Sequence, residues 1–218
     1  MRMDSVIRAD GAEIRQPRLY ERFGKRAADI ILVALALPAV LPLIVLFAFL
    51  GMLDGANPFY FQNRVGRGNR IFRMWKLRSM VPDADRRLAQ LLERDAAANA
   101  EWRVSQKLRN DPRITALGRF IRKFSIDELP QLWNVLRGDM SLVGPRPMMP
   151  EQRALYPGQA YYQLRPGITG LWQVSQRNEG SFASRSDFDQ DYAETISFRT
   201  DASILMSTVG VVIHGTGC

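Results

Sequence analysis

Hydrophobic positions are distributed unevenly along the chain. From Ile30 to Leu53 the sequence runs IILVALALPAVLPLIVLFAFLGML without a charged residue. At about 1.5 Å per residue such a helix is roughly 35 Å long, enough to enter a bilayer. Pro38 and Pro42 fall inside the run; each lacks the amide of a helical hydrogen bond, so a kink or break is expected there. A cleaved secretory leader does not fit, because the small-residue triplet Ala34-Leu35-Ala36 lies within the apolar run and not after it. Both flanks are cationic, with Arg15, Arg18, Arg22, Lys25 and Arg26 before and Arg64, Arg67, Arg70, Arg73 and Lys76 after. Cationic flanks favour the cytoplasmic side. A re-entrant helix over residues 20–54 that bends near Pro38 and leaves on its face of entry satisfies both flanks; a crossing helix and a buried soluble helix are the alternatives.

Elsewhere the periods are short. Residues 1–19 are polar and aperiodic and read as a flexible tail. The segment Phe59–Met80 has two β-prone aromatic runs around Gly66-Arg67-Gly68-Asn69, a hairpin signal. Pro82–Gln106, rich in Ala, Leu, Glu and Arg, reads as one helix. Leu117, Phe120, Ile121 and Phe124, then Leu129, Leu132, Trp133 and Leu136, fall at helical spacing. Ordinary core packing explains both stripes; beside a membrane helix, such amphipathic helices also suit the interfacial plane, with basic residues toward lipid phosphates. The apolar stretch Ile204–Ile213 is too short to span. The expected fold is mainly α with small β-hairpin elements: a tail over 1–19, a re-entrant, Pro-broken membrane helix over 20–54, and a cytoplasmic catalytic domain over 55–218 with interfacial amphipathic helices.

Charge narrows the partners. Lys and Arg number 30 against 22 Asp and Glu, giving +8 and a pI near 10.1 in 218 residues. Anionic partners follow: nucleic acid, phosphate-rich small molecules or an acidic membrane surface. Cys218 is the single thiol and His214 the single imidazole, which excludes a disulfide within the chain and a multi-His zinc site, and leaves a Ser/His/Asp triad dependent on that one His. Chemistry therefore falls to carboxylates, Lys, Arg, Tyr, Ser, backbone amides or a hard metal held by oxygen.

Ser125-Ile126-Asp127-Glu128-Leu129-Pro130 is the most informative stretch. Its proline suits a first helical turn, so Asp127 and Glu128 are expected at a helix N-terminus. Ser125 and Glu128 have capping-box spacing, and a cap alone would explain the acids. Alternatively, the same dipole keeps both carboxylates ionised, one as nucleophile and the other as ligand to a divalent cation. Arg119, Arg122 and Lys123 precede the pair, and Arg137 and Arg146 follow it. Pro145 and Pro147 stiffen the backbone around Arg146, which preorganises its guanidinium for an anion or simply makes a rigid loop. Arg165-Pro166-Gly167-Ile168-Thr169-Gly170 and Gln176-Arg177-Asn178 form a second turn-rich basic segment. No Walker P-loop occurs, and Gly66/Gly68 is too sparse for a dinucleotide fingerprint.

FQNRVGRGNRIFRMWKLRSM, SIDELPQLWNVLRGDMSLVGPRP and RPGITGLWQVSQRN, in that order behind the Pro-containing helix, resemble the bacterial sugar transferases called monotopic phosphoglycosyl transferases, above all the priming enzymes of exopolysaccharide synthesis. The resemblance spans roughly residues 20–217. It implies transfer of a hexose-1-phosphate, galactose or glucose, from a UDP-sugar to undecaprenyl phosphate at the cytoplasmic face of the inner membrane, releasing UMP. It further implies Asp127 as the nucleophile that forms a phosphosugar-enzyme intermediate, and Glu128 as its partner associated with Mg²⁺. Arg122, Arg146 and Arg177 match arginines that handle the anionic substrates, and Lys76, Asp191 and Asp201 fall on family-typical positions. One departure is Leu37-Pro38 where the family often has Ser-Pro; Leu37 offers no hydrogen bond to backbone freed by the proline. A membrane-anchored nucleic-acid binder using Trp75, Trp102, Trp133 and Trp172 for stacking, and a non-catalytic scaffold, are the competing classes. Arginines grouped around an Asp-Glu pair and rigid proline loops, instead of one basic stripe, favour a small diphosphate and no nucleic acid.

Overall fold

The computed structural model describes residues 19–105, 108, 110–175 and 182–213. Residues 1–18 of the expected tail lie outside them. A π-helical turn, Tyr20–Gly24, runs into α1, Lys25–Met52. Helical structure continues through both Pro38 and Pro42, so the expected break is not present as an interruption. The amides missing at Pro38 and Pro42 would have bonded the carbonyls of Ala34 and Pro38. Both prolines are exposed on the outer face, and the inner face keeps its packing. That inner face is a stripe at helical spacing: Asp29, Val33 and Ala48 are buried, and Leu37, Val40 and Ile44 pack against neighbouring core residues.

The hairpin forms as expected. Strand β1, Phe59–Val65, pairs antiparallel with β2, Ile71–Leu77, through a 3-10 turn over Arg67–Asn69. The single helix expected over Pro82–Gln106 is two, α2 (Ala84–Arg94) and α3 (Ala96–Ser105). Asp95 separates them in an extended conformation, and its carboxylate accepts from the amides of Ala97 and Ala98, an N-cap that composition alone does not distinguish from a helix interior.

Helix α4, Ala116–Lys123, is capped by the Thr115 hydroxyl on the Gly118 amide. A 3-10 turn, Ile126–Glu128, then leads into α5, Gln131–Arg137. Strand β3, Ser141–Val143, follows, then α6, Ala160–Gln163, and β4, Gly167–Thr169, which pairs parallel with β3. Helices α7 (Leu171–Ser175), α8 (Arg185–Thr195) and α9 (Phe198–Ile213) complete the chain. The fold is thus mainly helical, with two two-stranded sheets among the described residues.

The core wraps the inner stripe of α1. Val33 packs with Phe72, Met74, Leu132, Val135 and Met140 at one end, and Ala48 with Leu77 and Ile121 at the other. Both ends of α1 are tied to the same body by polar contacts. Near its start, Arg26 donates to the carbonyls of Val135 and Leu136, Lys25 pairs with Asp201 at 2.8 Å, and Asp29 accepts from Ser141 and the Leu142 amide. Near its end, Arg78 donates to the Gly51 carbonyl and to Asp54. The outer face stays apolar and exposed, with Ile31, Leu35, Leu41, Val45 and Phe49 all uncovered.

Candidate active site

The turn carrying the two acids is built differently from a capped helix. Helix α4 ends at Lys123, and Ser125 adopts a left-handed backbone (φ 55, ψ 24) with no side-chain cap, so the capping-box spacing is not used. The Ser125 amide donates to the Arg122 carbonyl and its own carbonyl accepts from Glu128, which tightens the chain into the 3-10 turn. Ile126 packs in the cluster formed by Ala48, Leu77 and Ile121. Burying Ile126 against α1 places the neighbouring Asp127, itself buried, at the edge of that cluster.

Lys76, near the end of β2, bridges the acids, with Nζ 2.9 Å from Glu128 Oε1 and 3.9 Å from Asp127 Oδ2. Asn134 fixes that strand: its Oδ1 accepts from the Trp75 amide and its Nδ2 donates to the Arg73 carbonyl. Burial is the largest influence on Asp127 and pushes its carboxyl up to about 6. Glu128 adds to the rise, while Lys76 and Arg122 oppose it. Arg122, expected as an anion-handling residue, is therefore in electrostatic reach of the nucleophile candidate.

The proline loop is held from both sides. The Pro145 carbonyl accepts from the Gly167 amide, and the Pro147 carbonyl accepts from Arg64 at 3.1 Å. Gly144, Gly167 and Gly170 interlock so closely that a Cβ on Gly167 would sit 2.1 Å from the Gly144 nitrogen, and one on Gly170 2.0 Å from the Gly144 oxygen. The GPRP and RPGITG segments thus dock backbone to backbone, and Arg146 projects toward the Trp172 ring, 5.8 Å from its centroid. Three residues not singled out in the sequence stand here. Arg64, half-buried on β1, is in electrostatic reach of Arg146 and Glu128, and desolvation lowers its guanidinium to about 10. Arg185 is sandwiched by Trp172 (4.4 Å) and Phe182 (4.5 Å) and is lowered to about 10 by burial and by Arg146. Gln173 has both amide atoms buried without a partner among the described residues, as are Trp172 Nε1, Arg64 Nε and Arg185 Nε. Unsatisfied donors on clustered cations are groups that a polar anionic ligand would satisfy. The alternation of Gln62 and Arg64 on one strand face was the signal available for Arg64; Arg185 had none.

The remaining expected residues divide. Asp201 is buried and accepts from Tyr20, Lys25 and Tyr192, which places it at the junction of α1, α8 and α9 and not beside Lys76. Asp191 is exposed on α8. The buried carboxylate of that helix is Asp189, which accepts from Tyr156 at 2.9 Å and is pushed up to about 7 by burial. Arg177 lies outside the described residues. For a divalent cation, Asp127 and Glu128 supply adjacent carboxylate oxygens; no group of three or more His, Cys, Asp or Glu side chains suited to a metal occurs among the described residues. That donor set fits Mg²⁺, which commonly binds through one or two carboxylates completed by substrate phosphates.

A family profile described as Bacterial sugar transferase matches residues 20–215. The chain is 46% identical over 198 residues to the UDP-galactose-lipid carrier transferase of Erwinia amylovora, covering 90% of this chain and 42% of the relative. The undecaprenyl-phosphate galactose phosphotransferase of Salmonella typhimurium matches with the same identity and coverage. The exopolysaccharide production protein ExoY of Sinorhizobium fredii is 41% identical over 196 residues, 88% of this chain and 87% of the relative. The chain therefore spans under half the length of the first two relatives and most of the third.

Proposed function

The chain belongs to the bacterial sugar transferase family, and from that membership we propose that it moves a hexose-1-phosphate, galactose or glucose, from a UDP-sugar to undecaprenyl phosphate and releases UMP. The observation that carries this reading is the buried Asp127 beside Glu128 and Lys76, with Glu128 in electrostatic reach of Arg64, which is itself grouped with Arg146 and Arg185. The names of the relatives support a lipid-phosphate acceptor and, for two of them, galactose.

In the proposed reaction the Asp127 carboxylate attacks the sugar-bearing phosphorus of the UDP-sugar. An acyl-phosphate bond forms, the bridging P–O bond of the diphosphate breaks, and its electron pair leaves with UMP. A phosphate oxygen of undecaprenyl phosphate then attacks the same phosphorus; the acyl–oxygen bond to phosphorus breaks and Asp127 is regenerated as carboxylate. Charge repulsion between polyanions limits both steps. Arg64, Arg146 and Arg185 neutralise the diphosphate, and their desolvation strengthens each charge-assisted bond. Lys76 keeps Asp127 ionised despite burial and turns Glu128 toward the site. Mg²⁺, held by Asp127 and Glu128, would supply further charge neutralisation on the phosphates.

The attachment of both ends of α1 to one body and its apolar outer face support the proposal that α1 enters one leaflet and keeps both termini on the cytoplasmic side of the inner membrane. Exposed Phe120, stacked on Phe47 at 5.9 Å, and exposed Trp133 extend that face into the bilayer interface. The site beneath Ile126 is then held at the depth of a lipid phosphate. The test is UMP release by purified protein given undecaprenyl phosphate and a panel of UDP-sugars. Release with UDP-galactose or UDP-glucose, lost in Asp127→Asn and in chelator and restored by Mg²⁺, is expected. Full activity of Asp127→Asn would overturn the assignment.

A further inference from the structure

A second cationic site lies at the opposite end of the hairpin from Lys76. A cleft of about 430 Å³ is lined by the turn residues Gly66, Arg67, Gly68 and Arg70, by Ile71 and Phe72, and by Gly138, Asp139 and Arg165. Lys76 lies five positions beyond Ile71 along β2, roughly 17 Å at the strand rise, so the cleft is distinct from the Asp127 cluster. Among the described residues Arg67, Arg70 and Arg165 form no salt bridge, although Asp29 lies within electrostatic reach of Arg165. Arg165 uses its Nε to donate to the Gly138 carbonyl at 3.0 Å, which anchors the side chain while leaving its Nη groups for the cleft. Asp139, the cleft's carboxylate, is engaged by the Asn134 amide and, at 3.5 Å, by Arg137. Arg26 adds a further charge from behind, its Nη2 lying 3.5 Å from where a Gly138 Cβ would be. Burial, Arg67 and Arg26 all act to lower the Arg165 guanidinium. Several like charges held around one opening repel one another, and a bound anion removes that penalty.

The position selects the anion. Arg26 belongs to the first turn of α1, and the exposed apolar face begins one turn later at Ile30 and Ile31. The cleft thus opens where the polar border of a membrane-embedded helix meets headgroup phosphates. We propose that this cleft binds a phosphate group, supplied by the headgroup of an anionic phospholipid, separately from the transfer site.

The experiment uses the full-length protein in detergent, with thermal unfolding as readout. The probes are dihexanoyl phosphatidylglycerol, dihexanoyl phosphatidylcholine and inorganic phosphate. Phosphatidylglycerol at about ten times its half-saturating concentration should raise Tm by roughly 3 °C or more, with phosphatidylcholine and phosphate well below that. In Arg67→Gln/Arg70→Gln the shift should vanish. Both side chains sit on an exposed turn, so the variant should fold, and Arg86→Gln/Arg87→Gln on α2 serves as a charge-matched control that keeps the shift. Stabilisation by inorganic phosphate as strong as by phosphatidylglycerol, and lost in the double variant, would overturn the lipid as source while retaining a phosphate site. A shift that persists in the double variant, or no shift with either probe, would overturn the site. The readout is independent of sugar transfer, so its failure is separate from any failure of the transferase reading.

Discussion

As the proposed nucleophile, Asp127 would answer two opposed demands: burial that excludes water from an acyl phosphate, and ionisation that lets it attack. Burial raises it to about 6, and Lys76 and Arg122 keep it from rising further. The proposed attack needs the charged form, so turnover is expected to fall as pH drops through the acid limb set by Asp127. Removing an opposing cation must move that limb upward, so Lys76→Met should shift it to higher pH as well as slow the reaction; a limb unmoved in the pH profile would contradict the role given to Lys76. Asp189 offers a test in stability. Its carboxyl, about 3.9 in an unfolded chain, is raised to about 7 by burial in spite of the Tyr156 hydrogen bond and Arg185. A folded state that holds the proton more tightly is most stabilised below the unfolded value and loses that stabilisation as pH rises through 7. Thermal unfolding of the wild type should therefore weaken from pH 5 to pH 8, and Asp189→Asn, neutral throughout, should flatten that decline. Parallel curves would show that Asp189 is not the group responsible.

Among elements, the dependence of the site on packing runs through α4. Gly118 packs against the chain just beyond β2 so closely that a Cβ would lie 1.9 Å from the Ser79 carbonyl oxygen, an approach that brings Arg122, one turn on, within reach of Asp127. Gly118→Ala should cost about 1–3 kcal/mol by overpacking, lower Tm, and reduce turnover beyond what the stability loss explains, because α4 must withdraw from the turn it supports. Unchanged turnover in a folded Gly118→Ala would contradict that coupling. The same scale shows what could be read in advance. The β1–β2 hairpin and the short helices α4 and α5 follow from local periodicity and turn chemistry, as did the adjacency of Asp127, Glu128 and their basic neighbours. The break at Asp95 was hidden because an aspartate cap and an interior aspartate look alike in composition. Ser125 in the left-handed region was hidden because a serine three before a glutamate signals a cap. Arg64 and Arg185 were invisible as site residues because their place arises only when the GPRP loop docks on the RPGITG turn and α8 closes over Trp172, contacts between segments far apart in the chain.

For the whole molecule, the account rests on α1 serving as floor and membrane anchor at once. Its inner stripe ties to the body at Lys25, Arg26, Asp29, Val33 and Ala48, while its outer face stays apolar. With Cys218 replaced by Ser, cysteines at Arg22 and at Arg87 should label from the same side of sealed inverted membrane vesicles; labelling from opposite sides would make α1 a crossing helix. Asp201, on a family-typical position, contributes to this anchoring through Tyr20, Lys25 and Tyr192, the first two being partners at the N-terminal end 176 or more residues away. The central claim is that Asp127 becomes covalently linked to a phosphosugar, and the direct measurement is mass spectrometry of protein acid-quenched during incubation with UDP-galactose or UDP-glucose in the absence of undecaprenyl phosphate. The account predicts a hexose-phosphate mass added to the peptide bearing Asp127, discharged on adding the lipid phosphate and absent in Asp127→Asn. An active preparation that releases no UMP until the lipid is present, and never carries that mass, would contradict it.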